Sequence, residues 1–177
     1  MKKRLLLSVF VLLFILLYGC SNTSNTMSEP PEIRITAGDM EIASVVGLNQ
    51  WNGSIYDRED TFHTSMKEKS VADVPYLQLN QEIQIEFKGT APDQFELREY
   101  IVDASGSIKY TEKETKSIPF KYYNNTPSFI LGPNPAAALS SDSADYEPGA
   151  TIRGFRLNCI WGDNESEYAF IIRTDAI

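Results

Sequence analysis

From Arg153 to Thr174 one pattern is written twice. In RGFRLNCIW, Phe155, Leu157, Cys159 and Trp161 alternate with Gly154, Arg156, Asn158 and Ile160; after the polar turn Gly162-Asp163-Asn164-Glu165, SEYAFIIRT returns with Tyr168, Phe170 and Ile172 on one face. Successive side chains of an extended chain point to opposite sides, so a period of two with large apolar residues on one side marks a half-buried antiparallel strand. Two such strands joined by a short polar turn predict a hairpin that holds the core together.

The same period recurs upstream. EIQIEF (82–87) sets Ile83, Ile85 and Phe87 against Glu82, Gln84 and Glu86; EIRIT (32–36) alternates Ile33 and Ile35 with charge; QFELREYIV (94–102) carries Phe95, Leu97 and Ile101 on one side. DASG (103–106) followed by SIKYT (107–111) reads as a turn and a returning strand. The only predicted helix is NPAAALSS (134–141), with Asn134 as cap and Pro135 at the first helical position. Short strands, about nine in all, with almost no helix predict an all-β fold, an antiparallel β-sandwich of immunoglobulin or fibronectin type. YEPGATI (146–152) resembles the Pro-Gly corner that enters the penultimate strand of such sandwiches. Residues 51–75 show no sustained period and read as a long irregular loop between two early strands.

The chain opens with Met1-Lys2-Lys3-Arg4 and an apolar run from Leu5 to Tyr18. That run is shorter than the roughly 20 residues a membrane-spanning helix needs, and with its basic head it predicts a secretion signal over residues 1–19. Leu17-Tyr18-Gly19 before Cys20 resembles the lipobox of bacterial lipoproteins, with Tyr18 bulkier than is usual there; the alternative is an ordinary signal peptide and a chance cysteine. Residues 20–31 then form a lipidated cysteine and a polar tether, leaving 32–177 as one domain. A diacylated Cys20 suffices to hold a protein on the outer face of the cytoplasmic membrane.

Removing the three leader cations leaves 13 basic residues against 24 acidic ones, a net charge of −11. Such a balance disfavours nucleic acid and anionic lipid surfaces. Cys159 is then the only thiol besides Cys20, which rules out an intrachain disulfide in the mature chain, and its apolar neighbours predict burial.

Little catalytic chemistry is written in the chain. The single histidine, His63, excludes zinc sites built on two or more histidines. Ser54 and Ser65, with Asp57 and Asp60, stand near it in sequence, the elements of a hydrolase triad, but no G-x-S-x-G elbow accompanies them. Gly149 and Gly154 have phosphate-loop spacing without the following Lys-Ser/Thr. Asp142, Asp145 and Glu147 are candidate calcium ligands, as are Asp163, Asn164 and Glu165, although turns demand the same residue types. No cofactor is predicted. The remaining lead is aromatic: Trp51, Tyr56, Phe62, Tyr122 and Tyr123 fall near strand ends or loops, and Trp51, Tyr56, Phe62 and His63 together define a candidate contact face.

A resemblance joins these pieces. PPEIRITAGDMEIASVVGLNQWN (30–52), with Pro30-Pro31, Gly38, Gly47 and Trp51-Asn52, resembles the segment that opens an extracellular module of Firmicutes lipoproteins and of membrane metallopeptidase sensors related to the β-lactam sensor family. RGFRLNCIWGDNESEYAFIIRT is similar to the closing hairpin of that module, with Trp161, Tyr168 and Phe170 in matching places. The resemblance covers most of residues 30–174 and rests on scaffold residues. It implies a surface module of a Gram-positive cell that senses or binds something; the sequence holds no peptidase segment, so neither protease nor signalling activity carries over. The expectation is a lipid-anchored, non-catalytic binding module whose partner is an envelope protein or a cell-wall ligand, with an envelope hydrolase using His63 and a purely structural surface domain as alternatives.

Overall fold

The computed structural model describes residues 28–57, 60–67, 69–123 and 126–176, the side chains of Glu112 and Tyr123 excepted. The expected signal peptide, Cys20 and the tether as far as residue 27 lie outside the described residues. Among the described residues eleven strands form two antiparallel sheets: β1 (Glu32–Ala37), β2 (Met40–Ile42), β3 (Ser44–Trp51), β4 (Ser54–Tyr56), β5 (Glu82–Lys88), β6 (Gln94–Val102), β7 (Lys116–Ile118), β8 (Lys121–Tyr123), β9 (Thr126–Ile130), β10 (Thr151–Trp161) and β11 (Asn164–Thr174). The first sheet runs β2-β1-β5-β9-β8 and the second β4-β3-β11-β10-β6-β7. Within these, β1-β5-β9-β8 and β11-β10-β6-β7 repeat the A-B-E-D and G-F-C-C′ order of an immunoglobulin-like sandwich.

The predicted closing hairpin is the centre of the second sheet. Its eleven cross-strand pairs run from Thr151 opposite Thr174 to Trp161 opposite Asn164. The side that carries Phe155, Leu157, Cys159, Trp161, Tyr168, Phe170 and Ile172 is buried against Ile35, Ile83, Ile85 and Phe129 of the first sheet. Phe155 and Phe170 stack with ring centroids 4.8 Å apart. Each such side chain contributes about 1.5–3 kcal/mol by leaving water.

Residues 38–81, between β1 and β5, depart from the sequence reading. β2 turns back on β1 through a two-residue turn at Gly38-Asp39, but the chain then crosses at Ala43 and β3 joins β11 of the opposite sheet. A single covalent run therefore closes one side of the sandwich. The expected irregular loop over 51–75 is instead the β3–β4 hairpin, a six-residue α-helix, α1 (Thr61–Met66), and a 3₁₀ turn at Val71–Asp73.

Helix α1 is short, rich in threonine and enters through Asp60 at φ 57° without a side-chain cap, so nothing local sustains it. Docking does: Thr61, Phe62, Ser65 and Met66 are buried on the outer face of the second sheet. Conversely, Asn134 caps as expected, accepting a hydrogen bond from the Ala136 amide at 2.9 Å, yet Pro135–Leu139 winds as a 3₁₀ turn. SIKYT makes a single bridge, Ile108 to Val102, instead of a strand. The Asp103 carboxylate gathers the amides of Ser105 and Ser107 into a tight turn, and Lys109 then swings out to pair with Asp145. β6 finds its edge partner in β7.

A candidate binding groove beside the N-terminal wall

The two sheets leave a groove of about 730 Å³ between the chain entering β1 and β3, on the side where the run after β2 crosses to the opposite sheet. One wall is the chain entering β1, Ser28 to Ile33; the other is β3 with the β3–β4 hairpin, contributing Ser44, Val46, Asn49, Asn52, Ser54 and Tyr56. Trp51 and Tyr168 form the floor.

Local chemistry fixes each part. Asn52-Gly53 turns the hairpin with φ of 51° and 80°, the paired positive values of a type I′ turn that Asn-Gly adopts readily. The Asn52 amide donates to Asn164 Oδ1 at 2.8 Å, tying this turn to the β10–β11 turn. Trp51, 4 % exposed, packs edge-on against Trp161 at 5.4 Å, and the Trp161 ring N–H donates to the Thr90 carbonyl at 2.9 Å. The Tyr168 hydroxyl donates to the Pro31 carbonyl at 2.5 Å, and burial pushes its phenol well above the usual range. Pro31 has no amide hydrogen of its own, so this bond settles the one backbone polar group it carries.

The rim is polar and the interior half apolar. Tyr56 is 46 % exposed on the edge strand, facing the side of the groove formed by Pro30 and Ile33. Glu29 and Glu32 stand in the first wall, Glu32 also accepting from Lys88 Nζ at 3.2 Å. Among the described residues no lysine, arginine or histidine lines the groove.

Of the expected contact face, the structure brings Trp51 and Tyr56 together and sets Phe62 and His63 elsewhere. Phe62, 1 % exposed, lies in a slot above Gly154 on the outer face of the second sheet, with Tyr100 at 5.6 Å and the Arg156 guanidinium 4.9 Å over its ring. His63 is exposed, its Nδ1 2.8 Å from the Ser105 carbonyl oxygen. Ser65 is buried and donates to the Thr61 carbonyl at 3.0 Å, while Ser54 sits across the sheet in the groove. Tyr122 is 59 % exposed on the far edge, against Phe95.

The acidic turn residues have other partners. Asp142 Oδ1 accepts from the Ala144 amide at 3.0 Å, Asp145 is held by Lys109 Nζ and Ser140 Oγ, and Glu147 is exposed. Among the described residues no group of three or more His, Cys, Asp or Glu side chains is placed to hold a metal ion. Nor, among them, is any helix long and apolar enough to cross a membrane.

Comparison with known proteins finds no family model that matches the chain and no curated protein that matches it.

Sequence reasoning missed the groove because its walls come from segments far apart in the chain. One signal was available: Asn52-Gly53 between two polar-apolar stretches is a strong hairpin mark, and it would have placed Trp51 and Tyr56 on facing strands.

Proposed function

We propose that this chain is an extracytoplasmic lipoprotein, held to the outer face of the cytoplasmic membrane by a lipid on Cys20, that works as a non-catalytic binding or sensing module through the groove between β1 and the β3–β4 hairpin. The observation that carries this reading is the position of the groove. Its wall includes Ser28, eight residues after Cys20, a reach of at most about 28 Å for extended chain. A ligand bound there stays close to the membrane. The aromatic floor, polar rim and size of the groove are those of a small-ligand or chain-segment site. The Ser65 hydroxyl is turned onto the Thr61 carbonyl and Ser54 lies in the groove, on a different face from His63, which supports binding over hydrolysis by a serine-histidine pair. The sequence resemblance to the extracellular module of membrane sensors accords with the same role.

Cross-linking in intact cells tests it, using the tagged full chain, a Cys20→Ala form and a groove-filling Ser54→Trp form. The expected result is membrane retention lost in Cys20→Ala and a cross-linked ligand or partner lost in Ser54→Trp. Retention unchanged without Cys20 would remove the anchor from the proposal, and cross-linking indifferent to Ser54→Trp would remove the groove.

A further inference from the structure

We propose that a cavity at the end of the second sheet far from the β10–β11 turn is a second ligand site, which takes an α-amino acid with an apolar side chain: the side chain enters the cavity, the ammonium meets Asp103 and Asp145, and the carboxylate meets Lys109. This inference goes beyond the groove and does not depend on it. The cavity is about 220 Å³ and lies where β6 ends and β10 begins. Ile101 and Val102 are successive residues of β6, so their side chains leave opposite faces of the sheet. They belong to two separate apolar clusters, Ile101 with Ala137 and Val102 with Ile152 and Phe62. The cavity is walled by both, through Ile101, Ala137, Val102 and Ile152, together with Val71. The groove is at the other end of β10: Trp51 of its floor packs on Trp161, the last residue of that strand, whereas Thr151 and Ile152 of the cavity are its first two. A strand of eleven residues spans about 33 Å, so one small ligand cannot fill both sites.

Size and wall chemistry set the ligand's body. An apolar cavity of about 150 Å³ accepts benzene, so about 220 Å³ accommodates a branched aliphatic or phenyl side chain, whose burial supplies affinity. A charged side chain would lose its hydration against Ile101, Val102 and Ile152. Lining charges of both signs set the head. Lys109 and Asp145, partly exposed, and Asp103 line the same cavity. Asp145 holds Lys109 Nζ and Ser140 Oγ through Oδ2, and Asp103 holds the Ser105 amide and hydroxyl and the Ser107 amide through Oδ1. These bonds fix both acids in place before a ligand arrives. A carboxylate accepts through two oxygens and an ammonium has three donors, so the network can take a zwitterionic head without breaking a bond it already makes. An amine or an acid alone would engage charges of one sign only.

The test titrates the full-length chain in detergent micelles calorimetrically with leucine, phenylalanine and glutamate, and with isoamylamine and 4-methylpentanoate, which are leucine without its carboxylate and without its amine. Ala104→Trp, at an exposed lining residue in the turn after β6, obstructs the cavity; Lys109→Gln removes the partner of the ligand carboxylate; Ser54→Trp fills the groove and is the control. The expected result is saturable binding of leucine or phenylalanine, weakened about tenfold or more by Ala104→Trp and by Lys109→Gln and unchanged by Ser54→Trp, with the two half-head compounds about tenfold weaker or more and glutamate not bound. The inference is overturned if neither apolar amino acid binds, if glutamate or a half-head compound binds as well as they do, or if Ala104→Trp binds like wild type. Binding lost in Ser54→Trp and kept in Ala104→Trp also overturns it, since the amino acid then sits in the groove. Near-UV circular dichroism checks that each variant is folded; should Ala104→Trp not fold, Lys109→Gln and the half-head compounds decide.

Discussion

The ring of Phe62 fills the space that a side chain at position 154 would need. A methyl group on Gly154 would fall 2.7 Å from Cε1 and 2.8 Å from Cζ of Phe62, well inside contact distance. Gly154→Ala is therefore expected to destabilise by about 1–3 kcal/mol through overpacking, and Phe62→Ala by about 3–5 kcal/mol through loss of a buried ring. Because the clash needs both side chains, the double variant should be more stable than the sum of the two changes by at least about 0.5 kcal/mol. Urea unfolding of the three variants measures this; strict additivity would mean that α1 does not rest on Gly154.

Glu99 and Arg153 form an ion pair buried between the sheets. Arg153 Nε donates to Glu99 Oε1 at 2.6 Å, Asn134 Nδ2 donates to the same oxygen at 2.8 Å, and Arg153 Nη2 reaches the Gly132 carbonyl at 2.9 Å. Burial pulls the guanidinium below its ordinary range, against the pull of Glu99. Removing one partner leaves the other charge uncompensated, so Glu99→Gln should cost about 3–5 kcal/mol. Replacing both by an apolar pair, Glu99→Leu with Arg153→Met, should cost much less than the single change. Chemical denaturation curves decide between them.

Two carboxylates tie the turn region to the sheet, and their pH dependence has a definite sign. Asp103 is held below the usual carboxylate range by the Ser105 hydroxyl and by the Ser105 and Ser107 amides; Asp145 is held down by Lys109 and then Ser140. A depressed folded pKa means that their contribution is complete above the unfolded value of about 3.9 and is lost as pH falls through the lower folded value. Lys109 is raised by Asp145, so its contribution is complete below about 10.4 and is lost as pH rises through the higher folded value. Melting temperature against pH should fall on both limbs, Asp145→Asn should flatten both, and Asp103→Asn should flatten the acid limb alone.

Cys159 is fully buried on β10, and burial pushes its thiol far above the ordinary range. The thiolate is the reactive form, so the native protein should resist alkylation at pH 8. Iodoacetamide labelling is expected to follow the global unfolding rate. Rapid labelling of folded protein would place Cys159 outside the core.

Tyr168 holds the groove wall through its bond to the Pro31 carbonyl. Tyr168→Phe keeps the ring and leaves a buried acceptor unmet, a loss of about 1–3 kcal/mol. Hydrogen exchange should quicken at Glu29 and Glu32 in this variant while the β10–β11 amides stay protected. Unchanged exchange at both would show that the wall stands without the bond.

The alternation of Phe155, Leu157, Cys159 and Trp161 with smaller or polar neighbours was legible because a strand in a two-layer fold meets only two environments, and the face of each residue follows from parity alone. The buried side of the closing hairpin, β1, β5 and the capping role of Asn134 all came from such local rules. Helix α1 did not. Its six residues have weak helical preference, and what makes them helical is the slot above Gly154, more than eighty positions away in sequence.

Sequence by itself determined that this chain makes antiparallel strands, which face of each is buried, and that Cys159 has no partner for a disulfide after Cys20. Tertiary structure alone decided that β2 and β3 part company at Ala43, that Trp51 and Tyr56 share a groove with Ser28 to Ile33, and that Phe62 and His63 lie on another face. The physical reason is range: parity and turn preference act over a few residues, whereas a groove between two sheets exists only once segments distant in the chain have been packed side by side.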